Sequence, residues 1–446
     1  MTIEKGIRWT NTSVKALAKG ADPVIAVQVA VRRLVLKAKE QGWPGPPFNP
    51  LFIAEMMNVR IEANASVPDA RLMQGERGPT IEFNPKQPRE RMRFSIAHEL
   101  AHLLFPDWAD EVRNRGGEKS AQDNWQLEML CNIAASEIVL PIGSLEDFHR
   151  IPSIEDLMRA RREFDVSVEA FLIRLAKVST LPIGVFVASP RIQAGNKREY
   201  LVDYYIGSPT APEVDIAGTP VPESSVVNQC TAIGHTDLAL ETWITRSTTH
   251  VECVGIPGFP GASYPRVAGL VRFDQPEPDR RIIRYVHGSV LEPRNGGSKI
   301  LCQLVNDRAL KWGGGVARKV ATKFPEAEAS FSRSFQEIPP SERLGAVVFS
   351  PIEDGICVAS IVAQEGYGPS LLPRIRYTAL QHGLAVVAQR AIELSATVHM
   401  PRIGTGAAGG EWPTIQEMID DLMVRAGIRV TVYDPPPRRQ QLELFD

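Results

Sequence analysis

The chain has 446 residues with 50 basic and 52 acidic side chains, and its net charge of −2 argues against a general nucleic-acid-binding or membrane-binding surface. Hydrophobic residues make up 43% of it, which fits two or three globular domains with real cores. Five scattered cysteines without a CxxC pair exclude a disulfide framework, and no apolar run approaches the ~20 residues that span a bilayer. The first residues lack a signal-peptide pattern, so we expect a cytoplasmic protein without a membrane partner.

Residues 1–40 predict one or two helices, because apolar and basic residues alternate at helical spacing from Val24 to Lys39. A basic amphipathic helix of this kind can contact nucleic acid or membrane, but more often it packs its apolar side and exposes its charges. A stiff connector rich in proline and glycine, residues 42–50, leads into the next segment.

The next segment carries a His-Glu-x-x-His motif at His98, Glu99 and His102, inside an apolar helical run that Pro106 should end. Residues i and i+4 share one helix face, so both imidazoles can reach one metal ion. Glu99 is then angled toward water at the metal rather than toward the metal itself. The motif predicts a zinc peptidase, with His98 and His102 as metal ligands and Glu99 as the catalytic general base.

A second apolar helical run, stopped by Pro141, offers the third ligand that a catalytic zinc site needs. Glu128 is our candidate, with Cys131 and Asn132 one turn later. Glu137 on the same run is the alternative ligand. A carboxylate near a helix start is also favoured by the helix dipole alone, so Glu128 has a purely structural interpretation as well.

Residues 40–190 resemble the ImmA/IrrE family of bacterial metallopeptidases. The resemblance includes the segments Pro46–Ala54, Thr80–Asn84, Arg93-Phe94, Ala134–Pro141 and Phe164–Leu175, together with Glu-x-x-(Ala/Cys)-(Asp/Asn) at Glu128. It implies a mostly helical zincin-like domain over residues 1–190, binding of Zn²⁺ and cleavage of an intracellular regulatory protein, often a transcriptional repressor. Cys131 stands where alanine is usual, and we expect it to pack rather than to take part in chemistry.

Residues 191–275 predict a small β-rich middle module. Glu199–Ile206 and Thr242–Val254 have strand composition, and turns rich in proline and glycine follow at Gly255–Gly261. The module carries no recognisable chemistry. It binds a ligand or a regulator, or it is a spacer.

From residue 276 strands and helices alternate, with glycine-rich loops after strand ends, which predicts an α/β sheet with a ligand at the carboxyl ends of its strands. One loop follows Asn306 and the other follows Pro401. Glycine lets the backbone approach a phosphate, and successive N–H groups form an anion site. Two such loops could clamp a pyrophosphate, although either one alone could be a tight turn.

The segment 276–434 resembles a macro domain of the ALC1-like and DNA-ADP-ribose-processing branch, which implies binding of ADP-ribose or of an ADP-ribosylated macromolecule. The residues implied in binding are Asn306, Gly313, Gly314, Gly315, Val316, Ala317, Gly404, Thr405, Gly406, Ala407, Ala408 and Gly409. The lysine of hydrolytic members is missing from Val362–Glu365, Ala407 and Ala408 replace an aspartate of some members, and Ser289 replaces an acid. These departures put hydrolysis by the lysine or aspartate route in doubt and leave substrate-assisted hydrolysis open.

Residues 435–446 predict a flexible tail behind three prolines. Gln441, Leu442, Leu444 and Phe445 resemble the short peptide with which bacterial proteins dock on the DNA sliding clamp, the apolar residues filling a pocket. The alternative is a tail that folds back or stays disordered.

The sequence therefore predicts a multidomain α+β and α/β protein: a zincin-like domain, a β-rich module and a carboxy-terminal α/β macro domain. The functional hypothesis is a zinc metallopeptidase whose proteolysis of a regulatory protein is directed by ADP-ribose in stress, DNA damage or defence. One alternative is an ADP-ribose reader or glycohydrolase with a non-proteolytic zincin-like domain. Another is a repair scaffold tethered to the clamp.

Overall fold

The computed structural model describes residues 8–75, 77–110, 121–145, 153–192, 198–245, 247–258, 264–273, 283–293, 297–308, 310–353 and 355–435. The chain divides into two compact units, Met1–Ala38 with Trp43–Glu277 and Lys39–Gly42 with Pro278–Asp446. The tail peptide Gln441–Phe445 lies outside the described residues, so clamp docking stays a prediction. Among the helices of the described ranges, none is long and apolar enough to cross a membrane.

Along the first 180 residues the described helices are α1 Thr12–Ala18, α2 Pro23–Glu40, α3 Pro50–Met56, α4 Arg89–His102, α5 Ala121–Val139, α6 Ile154–Phe164 and α7 Val168–Val178. Four of them begin with a polar side chain that accepts a backbone N–H of the first turn, namely Asn11, Asn49, Ser153 and Ser167. Such caps satisfy donors that have no partner inside the helix.

The motif helix α4 is buried on the side that the apolar pattern predicts, with Ile96, Ala97, Leu100 and Ala101 at most 3% exposed. It ends at His102, four residues before Pro106. The N–H groups of Leu103, Leu104 and Phe105 donate to carbonyls three residues earlier in the chain. These 3₁₀-type bonds form a tighter last turn just before Pro106. Both motif histidines therefore still lie on regular helix.

Helix α4 packs against α5 and against a three-stranded sheet. The sheet contains β1 Arg60–Ala63, β2 Ala70–Gly75 and β3 Gly78–Phe83 in the order β1-β3-β2. β1 runs parallel to β3 and β2 antiparallel to it, so β2 is an edge strand of this sheet. Leu72 and Ile81 are the buried anchors of β2 and β3.

A five-stranded antiparallel sheet completes the described part of the first unit, in the order β5-β4-β8-β7-β6. Its strands are β4 Ile183–Ile192, β5 Arg198–Gly207, β6 Thr236–Glu241, β7 Thr249–Ile256 and β8 Arg266–Arg272. The strand expected from Thr242 begins only at Thr249, after Trp243 turns back to donate its indole N–H to Glu241. The domain limit expected after residue 190 falls within β4, and the domain limits stay predictions.

The second unit is built on a six-stranded sheet in the order β11-β12-β10-β13-β14-β9, parallel except for β11. The strands are β9 Arg284–His287, β10 Lys299–Asn306, β11 Val347–Glu353, β12 Ile356–Gln364, β13 Thr397–Pro401 and β14 Val430–Asp434. The helices are α8 Gly315–Lys323, α9 Pro325–Glu337, α10 Tyr377–Glu393 and α11 Trp412–Ile419. Buried apolar residues run through β10, β12 and β13, as is typical of parallel strands covered on both faces.

Candidate functional site

The two motif histidines converge on Glu128 of α5. The Nε2 atom of His98 lies 2.9 Å from Oε2 of Glu128, and Nε2 of His102 lies 3.7 Å from Oε1 of the same carboxylate. The side chain of His102 is 5% exposed and that of Glu128 is 47% exposed, so the site is closed on the helix side and open at the carboxylate. The structure thus brings the three predicted ligands together.

The outer nitrogens of both imidazoles are held by neighbouring residues of α5. Nδ1 of His98 lies 3.0 Å from Oδ1 of Asn132, and Nδ1 of His102 lies 3.4 Å from the Cys131 sulfur. A proton kept at Nδ1 by such partners leaves the Nε2 lone pair directed at the shared centre. Cys131 is buried as expected, and its sulfur also contacts the candidate ligand His102, while the expectation that it takes no part in the chemistry stays a prediction.

Glu99 is held in a different way from Glu128. Its Oε2 accepts the backbone N–H of Leu72 in β2 at 2.8 Å, and only 7% of the residue is exposed. Glu99 also groups with His98 and His102, with ligand atoms within 4.8 Å of one another. Because β2 holds Glu99 while Glu128 bonds the imidazoles directly, we favour Glu128 as the ligand and Glu99 as the base.

Burial of the His98 imidazole lowers its pKa, but the hydrogen bond and the negative charge of Glu128 outweigh this, and the pKa is raised overall. The alternative ligand, Glu137, points to two arginines instead. Its carboxylate lies 2.7 Å from Nε of Arg32 and 3.5 Å from Arg174. Glu137 therefore stabilises the packing of α5.

Two imidazole nitrogens and one carboxylate form a donor set that suits zinc, with room for a fourth ligand. The hydrogen bonds behind the imidazoles are of the kind that orients metal ligands in proteins. The residues present therefore fit the metal that the sequence pattern implies.

In the second unit the two predicted loops leave neighbouring parallel strands at the same edge of the sheet. Asn306 ends β10, Pro401 ends β13, and these strands pair directly. In the first loop a Cβ added to Gly313, Gly314 or Gly315 would meet nothing within 4 Å, so the backbone is open. Helix α8 starts there without a side-chain cap, which exposes N–H groups suited to an anion.

The glycines of the second loop have two different roles. A Cβ on Gly404 would lie 2.8 Å from the Ile375 side chain, so this glycine is required by packing. A Cβ on Gly406 would meet nothing within 4 Å. Ala408 is 3% exposed, and its carbonyl accepts two backbone N–H groups. Of the predicted binding residues, Gly406, Ala407 and Gly409 are exposed, and Ala408 packs inward.

The remaining predicted contacts are held locally. Oδ1 of Asn306 accepts the N–H of Arg308 at 3.0 Å, and the Thr405 hydroxyl donates to the Arg402 carbonyl at 2.8 Å. Val316 and Ala317 are half-buried on the α8 side of the sheet. These contacts shape the loops, and the role of each residue toward a ligand stays a prediction.

Sequence reasoning missed the group of polar side chains at the end of β12. Glu365 accepts Nε of Arg376 at 2.6 Å, and the N–H of Gly366 donates to Asp307 at 2.7 Å. These residues join three separate loops, so their spacing in the chain gave no signal.

Comparisons with known proteins agree with the two family resemblances drawn from the sequence. Residues 55–176 match the family model of the IrrE N-terminal-like domain. The chain is 27% identical over 212 residues to the radiation response metalloprotease IrrE of Deinococcus deserti, covering 40% of this chain and 75% of that protein. It is 29% identical over 174 residues to the chromodomain-helicase-DNA-binding protein 1-like of Danio rerio, covering 36% of this chain but 16% of that protein.

Among solved structures, a macrodomain protein from Streptomyces coelicolor is 37% identical and covers 34% of this chain and 99% of its own, with a TM-score of 0.31. The chain spans less than a fifth of the length of the helicase-like relatives. Residues 55–176 match the IrrE N-terminal-like family model, and about a third of the chain is similar in sequence to a macrodomain protein, which confirms the two resemblances drawn from the sequence.

Proposed function

We propose that the first unit is a zinc-dependent peptidase of the glutamate-type zincin class that cleaves a regulatory protein. The main support is that the Nε2 atoms of His98 and His102 both face the carboxylate of Glu128. The Nδ1 atom of each ring contacts a residue of α5. His98, His102 and Glu128 would hold Zn²⁺. A zinc ion in such a set acts as a Lewis acid that polarises a carbonyl and lets water ionise near neutral pH.

Glu99 would take the proton of the attacking water and return it to the leaving amine. A general base must be held in position, and the N–H of Leu72 fixes one oxygen of the carboxylate. Because β2 is an edge strand beside Glu99, an extended peptide could pair with its outer edge on either side of Leu72, whose own N–H is taken by Glu99. Such pairing would bring a peptide carbonyl of the substrate close to the base.

The test is zinc content and proteolysis of the full chain. We expect wild type to bind one zinc, His98→Ala and Glu128→Ala to lose it, and Glu99→Gln to keep it. Glu99→Gln should lower the cleavage rate of protein substrates by about 10²–10⁴-fold, the usual contribution of a general base. Glu137→Gln should keep zinc, and Glu163→Gln, at an exposed glutamate of α6, is the matched control that should keep both zinc and activity.

Retention of zinc by Glu128→Ala would remove the ligand assignment. Full activity in Glu99→Gln would remove the peptidase mechanism and leave the rival, a non-proteolytic domain attached to an ADP-ribose reader or hydrolase.

For the second unit we propose ADP-ribose binding at the two glycine loops. The open backbone at Gly313–Gly315 and at Gly406 lies at the ends of two paired parallel strands, as a pyrophosphate site requires. Calorimetry with ADP-ribose should show binding that AMP alone does not reproduce. Absence of heat with ADP-ribose at millimolar concentration would refute the assignment.

Fusion of the two activities supports a regulatory role in which ADP-ribose gates cleavage of a repressor-like protein during stress or DNA damage. Cleavage rates measured with and without saturating ADP-ribose test this. Equal rates for a substrate that is cleaved would remove the gating proposal while leaving both activities in place.

A further inference from the structure

A recess of about 260 Å³ opens beside α4 in the first unit. Phe94, Val139, Val166 and Ala170 form its apolar lining, and Glu90, Arg91 and Ser167 form a polar rim. Val139 and Val166 are 1% and 3% exposed, so the floor is rigid core rather than mobile surface. The volume lies below the ~300–1,000 Å³ of small-molecule sites and suits one large side chain.

The recess continues the seam between α4 and α5 that holds the candidate metal ligands. Phe94 precedes His98 by four residues, one helix turn or about 6 Å along the axis. On α5, Val139 follows Asn132 by seven residues, which is two turns on the same face. His98 contacts Asn132, and Phe94 shares the recess with Val139, so the contacts move toward the end of α5 as they move toward the start of α4, and both helices reach the recess.

The recess also lies at the start of the edge strand β2. Arg91 on its rim pairs with Asp69 at 2.6 Å, and Asp69 directly precedes β2. Three residues further on, about 10 Å along an extended strand, the Leu72 N–H holds Glu99. A peptide paired along β2 would therefore run between the recess and the general base.

We propose that this recess receives one large apolar side chain of the peptide substrate, close to the bond that is cleaved. The proposal rests on the peptidase function above and adds its substrate class: unfolded segments with leucine, methionine or phenylalanine beside the cleaved bond. An apolar side chain gains by leaving water, whereas a charged one that reached the floor would lose its hydration against Val139 and Val166.

The test uses the zinc-loaded full chain and a random-sequence peptide mixture, with cleavage sites identified by mass spectrometry. Ala170→Leu fills the recess and should lower cleavage beside leucine and phenylalanine at least tenfold while sparing alanine, as methylene-scale changes do in apolar pockets. Phe94→Ala widens the recess and should move the preference toward tryptophan. Ala160→Leu and Met92→Ala lie outside the recess and should keep the wild-type preference.

Zinc content and melting temperature are measured for every variant, and if Ala170→Leu fails to fold, Phe94→Ala decides alone. Cleavage with an unchanged side-chain preference in the folded variants would overturn the recess proposal and leave the peptidase function intact. If zinc-loaded wild type cleaves no peptide or protein, the peptidase function fails, and the recess proposal falls with it.

Discussion

The candidate metal centre is built from side chains, whereas the candidate ADP-ribose site is built from backbone. The first is made of side chains on two packed helices, each held by a second group behind it, as His98 is held by Asn132. The second is made of open backbone at the ends of two parallel strands. A side-chain site is encoded by residue identity and spacing, whereas a backbone site is encoded by conformation, which several sequences can produce.

The two regions also treat a buried histidine in opposite ways. Glu128 gives His98 of the first unit a carboxylate partner, and its pKa is raised. His399 of the second unit is fully buried between the hydroxyls of Thr397 and Tyr433. Burial, with a smaller effect of Lys299, lowers the pKa of His399 from 6.5 to about 4. A carboxylate neighbour raises the pKa of one ring, and burial between two hydroxyls lowers the pKa of the other.

The largest expected effect concerns this neutral histidine. Between pH 6.5 and about 4 the unfolded chain binds a proton at His399 that the folded chain refuses, so stability falls as the pH is lowered through this range. The loss is at most about 3 kcal/mol. Melting curves of wild type and His399→Gln from pH 7 to pH 4 measure it, and the variant should have the shallower slope. Parallel slopes would show that His399 does not carry this dependence.

The next prediction distinguishes a glycine whose missing Cβ is required by packing from one whose backbone is open to a ligand. Gly404 has φ 78° and no space for a Cβ, so Gly404→Ala should cost about 2 kcal/mol of folding stability from strain and overpacking. Gly406→Ala should leave the melting temperature unchanged and weaken ADP-ribose binding by about tenfold or more, because its Cβ stands where the ligand must approach. Thermal melts and calorimetry on both variants are compared, and equal effects on stability would contradict the distinction.

The smallest effect concerns the groups behind the metal ligands. Asn132→Ala should lower zinc affinity by at least about tenfold, since it frees the ring of His98. Cys131→Ala should cost less, because a thiol is a weak hydrogen-bond partner. Competition with a chromophoric chelator gives both affinities, and Asn124→Ala, exposed on the same helix, is the control. An Asn132→Ala affinity equal to that of the control would contradict the role given to Asn132.

Much of the metal centre was open to prediction because a helix converts spacing into a shared face. His98 and His102 followed from spacing alone. Glu128 followed from the resemblance of its segment to the third-ligand motif of glutamate-type zincins, because the helical pattern by itself also allowed Glu137. The contact of Cys131 with His102 was not foreseen, since burial alone does not reveal which neighbour a side chain touches. The tie between Glu99 and Leu72 joins residues 27 positions apart, and no local pattern encodes such a contact.

The strands of the second unit were predictable as apolar runs between turns, and the loop positions followed from them. The sequence did not reveal which glycines are required by packing and which leave the backbone open to a ligand. Gly404 and Gly406 look alike in the sequence, but only one faces Ile375 in the fold. The pair of Glu365 and Arg376 was equally hidden, because it depends on where the turn after β12 returns to the sheet.

Helix α5 supplies the carboxylate and both outer partners of the imidazoles from the three positions Glu128, Cys131 and Asn132. A slide of this helix by one residue, about 1.5 Å, would unlink all of these contacts at once. The carboxylate ligand and both outer partners of the imidazoles therefore depend on the position of one helix, and a substitution that shifts α5 would disturb all of them together.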